Sequence, residues 1–280
     1  MESKNTRSLD ALWLIAGTLV LAALTQVSAA QGPSTNQTVR PLTASPQRVE
    51  VSILVYHRFG PVVSDSMTVR TSTFRWQLQY LREHRYTVVP LRMLVDYLLH
   101  QSPAPPPQSV VITADDGHRS VFTDMLPVVQ DGAIPVTLFI YPSAISNASY
   151  AMTWAQLDTL RGTGLFDIQS HTYWHPNFAV EKRRLGPAAY RAFATKQFCD
   201  SKTVLREKLG VEANLLAWPF GIHDGELESL ARECGYVAGF TLERRVITLK
   251  ANTMALPRFL VTDGAVGRSF VSMLPVEEAR

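Results

Sequence analysis

The sequence predicts an α/β protein built on a parallel sheet. Short apolar runs alternate with stretches of helical periodicity from Val51 onward. No linker-like segment interrupts that alternation after residue 50, which implies one domain. The unusual polar clusters all follow apolar runs, as they do in sheets whose sites lie at the strand ends. Either a doubly wound or a barrel-like sheet fits. There is no G-x-G-x-x-G after a strand and no P-loop, so nucleotide-binding versions lose ground.

The elements follow in order. Val51–Val55 is the first strand, and Phe74–Glu83 is helical, with Phe74, Leu78 and Leu81 on one face. Thr87–Val89 reads as a strand. Leu91–His100 reads as a helix, ended by the Pro-rich loop 102–107. Val110–Ile112 is a strand, Val121–Val129 a helix, Val136–Ile140 a strand and Trp154–Arg161 a helix. Phe166–Ile168 is a strand, Gly186–Leu209 a long helix and Leu215–Ala217 a strand. Glu226–Cys234 is helical with Gly235 as its stop, and Val237–Phe240 is a strand.

Before this domain lie two segments of a different kind. Lys4 and Arg7 precede an apolar run, Ala11–Leu24, and the small residues Ser28-Ala29-Ala30 follow it. That layout is a secretory signal, with an uncleaved N-terminal anchor as the other reading of residues 1–30. Residues 31–49, rich in Gln, Ser, Thr and Pro, read as a flexible linker, and 50–280 as the functional domain. The protein is therefore expected to be exported to a periplasm, a cell surface or the medium, with membrane contact only through that first segment. The 280 residues carry a net charge of +3 and no basic cluster with interleaved aromatics, so a nucleic-acid partner is not expected. Cys199 and Cys234 either pair, as an oxidising compartment permits, or remain two buried thiols.

The strand ends carry the chemistry. Tyr56-His57 follows the first strand, and Thr113-Ala114-Asp115-Asp116-Gly117 follows Val110–Ile112. Ser170 to Pro176 follows Phe166–Ile168, and Trp218-Pro219-Phe220-Gly221 follows Leu215–Ala217. Asp-Asp-Gly alone is good turn or helix-cap material, and single histidines are usually structural. Adjacent carboxylates repel, however, and a cation relieves that repulsion. Two imidazoles and one carboxylate make a three-ligand set with an open position, which leaves the second carboxylate as a general base.

These residues resemble the polysaccharide deacetylases (NodB homology, carbohydrate esterase family 4). Thr113-Ala114-Asp115-Asp116-Gly117 resembles the family's T-F-D-D-G motif, and His171-Thr172-Tyr173-Trp174-His175-Pro176 matches its H-[ST]-x-x-H-P motif. Trp218-Pro219-Phe220-Gly221 is similar to its R-x-P-Y-G motif. Ile53–Phe59 and Asp65–Val69 look like the branch acting on poly-β-1,6-N-acetylglucosamine. The resemblance implies a distorted (β/α)7 barrel with Asp116, His171 and His175 as metal ligands and Asp115 as the base. It implies a divalent metal, Zn first, with Ni, Co, Fe or Mn as alternatives. The backbone N–H near Phe220 would help hold the oxyanion, and the substrate would be an N-acetylated polysaccharide.

There are departures from the pattern. Ala217 stands where the third motif has Arg, and Arg258, placed after a late strand, is the candidate replacement. Ala114 replaces Phe and Phe220 replaces Tyr, and no D-x-x-D-W motif is present. No His follows His223, so the family's late proton donor is absent and His57 is the candidate for its work. Tyr56, Tyr173, Trp174, Trp218 and Phe220 are candidates to stack on sugar rings, with core packing as the other reading for about half of them. The expected activity is metal-dependent removal of N-acetyl groups from N-acetylglucosamine residues of a matrix or cell-wall polysaccharide. The alternative is a carbohydrate-binding protein of the same fold with little or no turnover.

Overall fold

A computed structural model describes residues 50–248 and 251–276. The leader expected at 1–30 and the linker at 31–49 lie outside the described residues. In chain order the elements begin with β1 (Val51–Tyr56), a short ribbon of β2 (Arg58–Gly60) and β3 (Thr68–Arg70), α1 (Thr71–Glu83), β4 (Thr87–Val88) and α2 (Leu91–Leu98). Next come β5 (Ser109–Asp115), a π-turn at Val121–Met125 leading into α3 (Leu126–Asp131), β6 (Val136–Ile140), α4 (Trp154–Gly162) and β7 (Phe166–Ser170). The remainder is α5 (Phe178–Arg184), α6 (Pro187–Leu209), β8 (Leu215–Ala217), α7 (Gly225–Glu233), β9 (Ala238–Phe240), β10 (Phe259–Leu260) and α8 (Arg268–Val271).

The main sheet runs β10-β1-β5-β6-β7-β8-β9, and every pairing in it is parallel. β4 takes the first residues of β5 on the side that β6 takes further along. The two sheet edges meet through one stretch of chain. Gly239 N donates to Thr253 O and Leu256 N to Gly239 O, both at 2.8 Å, while Leu54 and Val55 pair with Phe259 and Leu260. The segment 253–261 therefore bonds to β9 with its first half and to β1 with its second. The result is the distorted (β/α)7 barrel.

β1 and β5 are buried along their whole length, which explains why they read as unbroken apolar runs. Alternate residues pack on opposite faces. Ile53, Val111, Phe139, Leu215, Ala217 and Phe240 share one cluster with Leu91, Leu94 and Val95 of α2. Leu54, Ile112, Leu138 and Ile168 belong to a second, with Phe74, Leu81, Val129 and Leu157 from α1, α3 and α4. α2 also ties to the start of β8, where Arg92 Nη2 donates to Asn214 Oδ1 at 2.7 Å. Its leucines thus seal the barrel mouth at the strand starts and leave the opposite mouth for polar groups.

Two expectations are corrected. Arg258 does not follow a late strand but immediately precedes β10, in the segment that joins the two sheet edges. The helix expected over 121–129 is broken into a π-turn and a shorter α-helix. The cysteines, left open between two states, form a disulfide with Cα atoms 5.3 Å apart, joining α6 to the end of α7. Among the described residues no helix is long and apolar enough to cross a membrane.

Candidate metal centre and active site

Asp115 is the last residue of β5, and the chain turns sharply just after it. Asp116 and Gly117 both have φ 73°, in the left-handed region. At Gly117 a Cβ would lie 3.0 Å from Ile145 and 3.1 Å from Ile140, so only glycine fits there. The turn sends the two aspartates to different tasks. Asp115 points back into the barrel and is buried, whereas Asp116 is partly exposed at the rim.

His171 follows β7 directly, and its N–H donates to Ile140 O at 2.8 Å. Its Nδ1 lies 2.8 Å from Ala217 O, a pure acceptor, so Nδ1 carries the proton and Nε2 keeps its lone pair. That Nε2 is 3.7 Å from Asp116 Oδ1, and His175 Nε2 is 3.8 Å from the same oxygen. Among the described residues these three side chains are a group whose ligand atoms all lie within 4.8 Å of one another. Ligand atoms around a tetrahedral centre with bonds of ~2.1 Å stand about 3.4 Å apart, so the trio needs only a small contraction to hold a divalent ion. Burial, and then the neighbouring His171, push His175 down to about 4, which keeps its imidazole neutral and able to ligate. The donor set and its orientation fit such a metal.

Arg258 meets Asp115 in a two-pronged pair, Nη1 to Oδ1 at 2.8 Å and Nη2 to Oδ2 at 2.7 Å. The guanidinium is fully buried, donates from Nε to Thr241 O at 3.0 Å, and lies over the Phe139 ring. Burial alone would raise the Asp115 carboxyl, but Arg258 overrides it and holds the group down at about 2. His57 lines the same cavity, and its buried Nδ1 has no hydrogen-bond partner among the described residues. Burial lowers its pKa, while Asp115 and Asp116 pull the other way.

The cavity, roughly 180 Å³, brings together His57, Asp115, Asp116, His171 and His175, and adds Met67, Trp218, Phe220, Leu242 and Leu260. Phe220 is 57% exposed, has φ 57°, and sits 4.7 Å from the His175 ring. The N–H groups of the next two residues, Gly221 and Ile222, close the turn on Trp218 O and Pro219 O.

Two of the five stacking candidates are corrected. Tyr56 is fully buried, donates to Gln77 Oε1 at 3.0 Å and packs on Phe59 and Phe74, so it presents no face to a sugar. Trp218 is equally buried, and its Nε1 donates to Met254 O at 2.8 Å across Gly239, where no Cβ would fit. Both are rim-sequence residues turned inward by packing. His118 and His223 prove to be hydrogen-bonded loop residues, against Ser120 and Glu228. Missed from the sequence was Tyr141, one residue past β6, with its ring 5.4 Å from His175 and its hydroxyl 2.6 Å from that of Tyr150. The strand-end rule that singled out the other clusters would have found it. The Ala217 carbonyl had no such signal.

Comparison with known proteins bears on this arrangement. The family model for polysaccharide deacetylase matches residues 102–239, which include both aspartates and both histidines but not His57 or Arg258. The poly-beta-1,6-N-acetyl-D-glucosamine N-deacetylase of Staphylococcus epidermidis is 27% identical over 205 residues, covering 71% of this chain and 69% of that protein. The enzyme of the same name from Staphylococcus aureus is 23% identical over 203 residues, with coverage of 71% and 69%. Among solved structures, IcaB from Ammonifex degensii is 25% identical with a TM-score of 0.67, covering 77% of this chain and 93% of that one. The Streptococcus pyogenes deacetylase PplD superposes with a TM-score of 0.72 at 18% identity, covering 82% and 100%. Residues 102–239 thus match the polysaccharide deacetylases, and the chain resembles their poly-β-1,6-N-acetyl-D-glucosamine N-deacetylase branch.

Proposed function

We propose that residues 50–280 form the catalytic domain of an exported, metal-dependent N-deacetylase. Its substrate would be the N-acetylglucosamine residues of a matrix or cell-wall polysaccharide. The observation that carries the reading is the buried Asp115–Arg258 pair set beside Asp116, His171 and His175 in one small cavity. Asp116, His171 and His175 would hold the ion. A divalent metal, zinc before nickel, cobalt, iron or manganese, supplies Lewis-acid polarisation of the acetamide carbonyl and a more acidic water.

The chain's own groups do the rest. Asp115, ionised and 3.8 Å from His171 Nε2, accepts the proton of the attacking water. Arg258 keeps that carboxylate charged and aimed. The Phe220 N–H donates to the carbonyl oxygen as it gains charge. His57 delivers a proton to the departing nitrogen, so that water and the N-acetyl sugar become acetate and a free amine. Phe220 also offers the sugar an exposed ring beside the ligands. Support for the polymer class comes from the Staphylococcus relatives named above.

The test is acetate release from an N-acetylated β-1,6-glucosamine oligomer with and without a chelator. Release that survives metal removal, or that is unchanged in Asp115→Asn, sinks the mechanism. The absence of any His after His223 favours a second reading, a carbohydrate-binding protein with little turnover. Oligomer binding without acetate release by the metal-loaded protein would select it.

A further inference from the structure

Two of the three ligand candidates sit on the loop that leaves β7, which backbone bonds tie down at His171, whose N–H donates to Ile140 O at 2.8 Å, and at Tyr173, whose carbonyl accepts from Ser143 N at 3.0 Å. Thr172 and His175 adopt φ 66° and 63°, a left-handed conformation that is strained for a non-glycine residue. Something must hold them there. Within the loop, Thr172 N donates to Ser170 Oγ at 3.2 Å and His175 N to Thr172 Oγ1 at 3.1 Å. Further restraints come from α6 and from Tyr236 after α7. Trp174 N donates to Gln197 Oε1 at 3.1 Å, the Tyr236 hydroxyl lies 2.7 Å from Ser170 Oγ and 3.0 Å from Phe198 O, and Ser201 Oγ lies 2.8 Å from Ser170 Oγ. All three outside residues are buried. Gln197 and Ser201 are one turn apart on α6, Tyr236 follows α7, and the Cys199–Cys234 disulfide locks the two helices together at that level.

We infer that Gln197 and Tyr236 are positioning residues of the metal centre. They act through the Trp174 N–H and the Ser170 hydroxyl, and hold the loop in the form that turns His171 Nε2 and His175 Nε2 towards Asp116. This rests on the reading of Asp116, His171 and His175 as ligands. Binding free energy includes the cost of ordering the ligands, so a loop held in advance binds the ion more tightly. Tyr190 provides an internal control. It is buried on the same helix, and its hydroxyl has no partner among the described residues.

The experiment measures the Zn²⁺ affinity of the full chain, prepared metal-free, by competition with a chromophoric chelator. The visible spectrum of the Co²⁺ form reports ligand geometry. Tyr236→Phe and Gln197→Met are expected to weaken Zn²⁺ binding about 10- to 100-fold and to shift the Co²⁺ bands. Gln197→Glu keeps the acceptor oxygen and should restore affinity to within about threefold, and Tyr190→Phe should match the wild type. Where Tyr236→Phe does not fold, Gln197→Met carries the same test. Wild-type affinity in both Tyr236→Phe and Gln197→Met overturns the inference even if their thermal stability falls, because their role is then only structural. Equal weakening in Tyr190→Phe overturns it too. A wild-type chain that binds no Zn²⁺ overturns the metal-site reading as well, which separates the two failures.

Discussion

The two sides of the cavity are built very differently. On the base side every donor and acceptor is matched: Asp115 takes two bonds from Arg258, and Arg258 spends a third donor on Thr241 O. On the opposite side His57 keeps a buried Nδ1 without a partner among the described residues. A satisfied buried network is rigid, whereas an unsatisfied group is costly until something completes it. On the proposed mechanism, the groups that would act on water are set in advance, while the group that would act on the leaving nitrogen would be completed by substrate.

The comparison can be broken at several points. Asp115→Asn keeps the shape but removes the base, and acetate release should fall by about 10³- to 10⁴-fold with Zn²⁺ still bound, as metal analysis would check. Arg258→Met strands a buried carboxylate, and denaturant unfolding should show a loss of about 3–5 kcal/mol.

The same variant has a pH signature. The Asp115 carboxyl is depressed, so its stability contribution is fully present above about pH 4 and is lost as pH falls through about 2. Without Arg258, burial dominates and raises that carboxyl, so the acid limb of kcat/KM should move to higher pH. An unmoved limb would mean that Arg258 does not govern the base.

His57→Gln should cost about 10²-fold in kcat, less for substrates whose leaving amine is more acidic. A uniform loss across leaving groups would remove His57 from the proton path. The smallest effect belongs to Phe220→Ala, which keeps the backbone N–H. It should raise KM for the oligomer by a few-fold, about 1 kcal/mol of ring contact, with kcat unchanged.

Much of the frame was legible because its signals are local. The apolar runs of β1 and β5, and the helical spacing of Phe74, Leu78 and Leu81, are burial written as periodicity. The DDG turn and the paired histidines were legible for the same reason: each needs its residue types close together in sequence. Arg258 was legible only in part. Its charge could be matched to a missing one, but the two-residue β10 is too short to carry a pattern, and its place before that strand was misjudged. Tyr56 and Trp218 misled because their neighbours in sequence line the rim while their own rings turn into the core. Aromatic residue type does not encode that direction. The disulfide was undecidable, since 35 residues separate the cysteines and only the packing of α6 on α7 brings them together.

The stretch 253–261 joins the sheet's two edges and carries Arg258 to Asp115 across 143 positions of sequence. Joining the sheet edges and pairing Asp115 with Arg258 therefore depend on the same stretch of chain. A chain emerging from its start has the aspartate pair and both histidines well before it has the guanidinium. Until then burying Asp115 favours its neutral form, a poor base. On the proposed mechanism, a molecule whose two sheet edges are not yet joined would also lack the charged base that acts on substrate.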